Sequence, residues 1–98
     1  IISGGLNVFP KEIELIIDSF PEVKESAVVG LPHSDFGEQV VAVIVLEENA
    51  RLDEVTVINK MKSKIASFKI PKGVFFHDEL PRNAMGKVQK NILRKILS

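Results

Sequence analysis

No cysteine, tryptophan or tyrosine occurs among the 98 residues. Without cysteine, disulfides, thiolate catalysis and cysteine-ligated zinc are excluded, and a reducing, cytoplasmic setting is the expected one. Without Trp or Tyr, base stacking would fall to six Phe, most of them in apolar contexts that a core would claim, so nucleic acid is not an expected partner. Long hydrophobic runs are missing as well. The longest, VVAVIVL at 40–46, has seven residues against the roughly twenty of a membrane-spanning helix, and no transmembrane segment is expected. The opening IISGGLNVFP has neither the basic start nor the long apolar middle of a signal peptide. It begins on two isoleucines instead of methionine, as a piece of a longer polypeptide would.

Net charge is absent too, but the zero hides an asymmetry. Residues 1–50 hold two basic and nine acidic side chains, and residues 51–98 hold eleven and four. Packing of the two halves against each other, with the charges on solvated faces, accounts for this. A basic half turned toward a phosphate-bearing ligand is the alternative.

The patterning is that of one domain with a modest core. After Pro10, KEIELIIDSF places Ile13, Ile16, Ile17 and Phe20 on one helical face, with Pro10 suited to the first turn and Pro21 as the stop. SAVVGL and EQVVAVIVL are β-branched runs separated by the turn-rich PHSDFG and predict two strands. LDEVTVINKMKSKIASF predicts a second helix with Val55, Ile58, Met61 or Lys62, and Ile65 inward. VFFH predicts a short strand, and VQKNILRKIL a last helix with Ile92, Leu93, Ile96 and Leu97 as its apolar stripe. The expected fold is α+β: a small mixed sheet flanked by about three helices.

Two loops stand out as places for chemistry. In SGGLNVFPKEIE, Gly4 and Gly5 precede the first helix. Paired glycines permit positive φ and close backbone approach to a ligand, although a plain turn into the helix explains them as well. In LPRNAMGKVQK, Lys87 follows Gly86 in a proline-led loop just ahead of an apolar helix. A Walker A reading fails, because Pro81 stands five before Gly86 and Val88 follows the lysine where Ser or Thr is needed. His33 and His77 are far apart and belong to no ligand-spaced cluster, so no metal site is expected. HSDFGE, with Asp35 and Glu38, reads as a turn whose Asp caps backbone amides.

The segments GLNVFPKEIE, GLPHSDFGEQVVAVIVL, IASFKIPK and LPRNAMGKVQKNILR occur in this order across essentially the whole chain. Together they resemble the small C-terminal domain of the adenylate-forming enzymes, the superfamily of acyl-CoA synthetases, luciferase and peptide-synthetase adenylation domains. Gly5 stands seven residues before the first Glu of the Glu12-Ile13-Glu14 triplet, as in that family. Asn83 departs from its usual Thr, and Lys90 from a common Arg.

The resemblance implies that residues 1–98 are the mobile C-terminal domain of an AMP-forming acid:CoA ligase. The N-terminal domain and hinge lie upstream, and the wording is most similar to ligases of fatty acids or of small carboxylic and dicarboxylic acids such as malonate. Such enzymes use ATP and Mg²⁺ to form an acyl-adenylate and then admit the coenzyme A thiol. The small domain swings between two poses against the N-terminal domain, its partner. By resemblance, Lys87 is the catalytic lysine of adenylation, Pro81 and Gly86 support its loop, and Gly4 and Gly5 line the pantetheine passage in the second pose. ATP, CoA and Mg²⁺ belong to the parent enzyme; none is expected in this piece, which is expected to be inactive alone. A non-catalytic interaction module that kept the fold is the alternative, with Asn83 as its support.

Overall fold

The computed structural model describes residues 1–35 and 37–98; Phe36, inside the turn expected at 32–37, lies outside the described residues. Two long strands, β3 (Val23–His33) and β4 (Gly37–Leu46), pair antiparallel along their whole length, with one irregularity between Val23 and Glu25. On its other side β4 takes two short partners. Near its start, Ser3 of β1 (Ile2–Ser3) pairs antiparallel with Gly37, and β1 continues to β2 (Leu6–Asn7). Further along, β5 (Gly73–Phe76) runs parallel to Val41–Ile44. The sheet is therefore mixed, as expected, and has five strands among the described residues.

Helices cover both faces, which is why β3 and β4 read as nearly continuous apolar runs instead of alternating ones. On one face α1 (Pro10–Asp18) and α2 (Glu54–Lys62) bring Ile13, Ile17, Val57 and Met61 onto Val28, Val40, Ala42 and Ile44. On the other, α3 (Lys90–Leu97) and the chain before it bring Leu93 and Leu80 onto Ala27, Val29, Leu31, Val41, Val43 and Val45. Side chains on a strand alternate between faces, so these two sets interleave along β3 and β4.

Three details depart from the pattern read in the sequence. Gly4 and Gly5 do not lead directly into α1: they form the two-residue turn of the β1–β2 hairpin, both with positive φ (59° and 81°). That is the backbone a tight type I′ hairpin requires. In α2 the inward face is set by Val57 and Met61, both fully buried, while Val55 is 66% exposed. Val55 lies two residues, or about 200° of helical rotation, from Val57 and so points away from the sheet. α2 also ends at Lys62 instead of running to Phe68, and a 3₁₀ turn follows at Ser67–Lys69. Pro71 disfavours helix at the residue before it, and the early exit lets Lys69 reach Glu12 on α1 (2.9 Å).

Strand edges are closed by carboxylates. β3 is an outer strand, and Glu14 of α1 accepts a hydrogen bond from its Val28 N–H (2.9 Å). Pro32 on the same strand lies an even number of residues from Val28, so the donor it lacks would have faced the same way. Glu54, in the first turn of α2, likewise accepts from the Val74 N–H of β5 (2.8 Å). The Glu-Ile-Glu triplet thus has a local account. Glu12 holds Lys69, Ile13 enters the core, and Glu14 takes both Val28 N–H and the Lys90 ammonium (2.8 Å).

Candidate functional site

Residues 82–87 are all exposed, yet the loop is tightly determined. Asn83 is its knot. Its Oδ1 accepts from the N–H groups of Met85 (2.9 Å) and Lys87 (3.1 Å). Its own N–H donates to the Lys87 carbonyl (3.0 Å), and its carbonyl accepts from Gly86 N–H (2.9 Å). An Asn side chain that stands in for backbone in this way forms an Asx-type turn. Gly86 has φ 82°, a conformation unfavourable for residues with a Cβ. Its carbonyl accepts from Arg82 Nη1 (2.6 Å), while Arg82 Nη2 pairs with Glu25 on β3. Below the loop, Gln89 N–H donates to the Pro81 carbonyl (2.8 Å) and Arg82 bridges to Val88. Pro81 lies in the stem of the loop and Gly86 in its turn.

The loop sorts its charges. Of the cations between 82 and 90, Arg82 is paired with Glu25 and Lys90 with Glu14. The Lys87 ammonium has no carboxylate in ion-pairing range among the described residues. A lone ammonium held at the tip of a braced loop is equipped to meet an anion supplied from outside the chain. Asn83 is what ties the loop together.

The glycine turn is elsewhere. The hairpin is attached at Gly37, the start of β4, whereas the lysine loop is tethered to Glu25, whose partner on β4 is Val45. Eight strand residues at ~3.4 Å each place the two attachment points roughly 27 Å apart. Beside the turn, Ser3, Gly4, Leu6, Phe68 and Lys72 line an open groove of about 140 Å³. A methyl group at Gly5 would meet nothing of this chain within 4 Å. The structure thus does not bring Gly4–Gly5 and Lys87 into one site. Their attachment points lie at opposite ends of β4.

Among the described residues no group of three His, Cys, Asp or Glu side chains is placed to hold a metal ion. In the turn after β3, Asp35 N–H donates to His33 Nδ1 (3.0 Å). Sequence reasoning passed over Glu25 and Arg82, which are 57 positions apart, and treated Asn83 only as a departure. A local signal existed for Asn83 alone, since Asn in a loop is a turn-former whose side chain bonds backbone amides just downstream.

The model of the AMP-binding enzyme C-terminal domain matches residues 12–87. The indoleacetate–CoA ligase of Aromatoleum aromaticum is 46% identical over 98 residues, covering 100% of this chain and 19% of that protein. The long-chain-fatty-acid–CoA ligase FadD13 of Mycobacterium tuberculosis is 42% identical over 95 residues, covering 97% and 19%. Among solved structures, ATP-bound MatB from Rhodopseudomonas palustris superposes with a TM-score of 0.95 at 55% identity, covering 98% of this chain and 19% of that one. The chain therefore spans about a fifth of the length of the proteins it matches. No helix among the described residues is long and apolar enough to cross a membrane. With its fold, its braced lysine loop and a family match over most of its length, the chain belongs to the AMP-binding enzyme C-terminal domain family.

Proposed function

We propose that residues 1–98 are the mobile C-terminal domain of an AMP-forming acid:CoA ligase. In this reading Lys87 serves adenylation and the Gly4–Gly5 turn serves thioester formation. The observation that carries it is the charge sorting in the loop: the flanking cations are paired internally and Lys87 is presented unpaired. Adenylation brings a carboxylate oxygen onto the α-phosphorus of ATP, and charge builds on the phosphoryl oxygens until pyrophosphate leaves. An ammonium fixed beside both anions offsets their repulsion and stabilises that charge. Groups of this kind are worth about 10²–10³ in rate.

The second step needs a different surface. Pantetheine must pass close to the backbone, and the open, side-chain-free Gly5 beside the Leu6–Phe68 groove suits that passage. Because the two features attach at points roughly 27 Å apart along β4, one cleft uses them in turn, by rotation of the domain, and not together. ATP, Mg²⁺ and CoA are held mainly by the rest of the polypeptide. The acid is a fatty acid or a small carboxylic or dicarboxylic acid such as malonate, the class whose ligases the wording at 7–14 and 32–38 most resembles.

The test is made on the parent polypeptide, with pyrophosphate release and thioester formation from supplied acyl-adenylate measured separately. Lys87→Ala is expected to lower the first by about 10²–10³ and spare the second. Gly5→Leu is expected to do the reverse, beyond a backbone penalty of ~1–2 kcal/mol at positive φ, so that adenylate accumulates. Equal losses in both half-reactions, tracking lost stability, would reduce both residues to turn formers.

A further inference from the structure

We infer that Asn83 is a positioning residue for Lys87, acting with the Glu25–Arg82 ion pair to hold the lysine loop in one shape before the larger domain is engaged. This rests on the role proposed for Lys87 above. The argument starts from what the ordering of the loop does for the domain itself. Fixing a residue's backbone carries an entropic cost, and residues 82–87 contribute nothing to the core, since every one of them is exposed. Met85 is 86% exposed. A surface loop with no packing role is usually left loose.

Here it is closed by four hydrogen bonds that begin or end on Asn83, and by one guanidinium that ties Gly86 to β3. Two of the four end on Lys87 itself, one at its N–H and one at its carbonyl. The peptide groups on both sides of the Lys87 Cα are thereby fixed, which sets the direction in which the side chain leaves. Downstream, Lys90 is moored to Glu14, so the segment is held at both ends. A side chain that must reach a reacting phosphorus gains from such preorganisation, because a displacement of about 1 Å can cost on the order of 10² in rate.

The experiment uses the full-length polypeptide and three variants: Lys87→Ala, Asn83→Ala and Asn83→Thr. Threonine keeps a side-chain oxygen that can accept from nearby amides. Asn83→Ala is expected to lower kcat for carboxylate-dependent pyrophosphate release about 10- to 100-fold. KM for ATP and for the acid, the unfolding midpoint and thioester formation from supplied acyl-adenylate should stay at parent values. Asn83→Thr should restore most of the lost kcat. If Lys87→Ala collapses adenylation while Asn83→Ala leaves it unchanged, the positioning role is refuted and the catalytic lysine stands. Equal loss in both half-reactions, or no recovery with threonine, refutes it too. An unaffected Lys87→Ala enzyme removes the proposed function and this inference with it.

Discussion

Glu14→Ala tests how much of the domain's stability passes through one carboxylate. Glu14 lies at the junction of α1, β3 and α3, with a side chain 14% exposed, and accepts from Val28 N–H at 2.9 Å and Lys90 Nζ at 2.8 Å. A hydrogen bond to a charged group is worth about 1.5–3 kcal/mol. β3 is an outer strand whose freed amide can be rehydrated, so the lower end applies. The Lys90 ammonium is about a third exposed, and solvent screening limits that pair to about 0.5–1 kcal/mol. The sum is about 2–2.5 kcal/mol, which for a domain of this size lowers Tm by about 8–20 °C. Glu14→Gln keeps a neutral acceptor for Val28 and should lose about half as much. Urea unfolding of the 98-residue chain and its two variants reads both values. An alanine variant within about 0.5 kcal/mol of the parent would show that water replaces the carboxylate without penalty, and the three-way junction would be decorative.

Leu93 is fully buried and anchors α3 beneath the lysine loop; Leu93→Ala should cost about 2–4 kcal/mol in the same assay, and a loss below 1 kcal/mol would mean that α3 is not docked as described. Asp53 caps α2 through Thr56 N–H (2.8 Å), and bonding first to the Thr56 side chain and then to its backbone holds its carboxyl below the ordinary carboxylate value. A folded pKa below the unfolded one gives stability that is full above the unfolded value and lost as pH falls through the folded value. Asp53→Ala should therefore flatten the acid decline in α2 amide protection below about pH 4, and an unchanged decline would show that the cap carries no linkage.

Periodicity made α1, β3, β4 and most of α3 legible, because each buries one repeating face or lies between two covered ones; Ile96, read as part of the α3 stripe, is instead 60% exposed. It failed where a strand was two residues long: Ile2–Ser3 and Leu6–Asn7 hold no measurable alternation, and only the paired glycines hinted at the hairpin. In α2 both Val55 and Val57 were available to a helical pattern, and the sheet beneath decided between them. The lysine loop was legible as a motif and illegible as a structure. Glu25 and Arg82 meet only because the segment before α3 packs on the face of the sheet that carries Glu25, Ala27 and Val29. No window along the chain contains both.

The carboxylates of Glu14 and Glu54 have one more consequence. A sheet with open edges recruits extended segments, its own kind included, by lending them main-chain amides. Here an outer amide of β3 and one of β5 are already occupied from within, and Pro32 has none to lend. A larger protein that carries this domain cannot grip it at those points by adding a strand. At those points a hold would fall to side chains and turns, contacts that can be made, broken and exchanged for others without tearing a β-ladder.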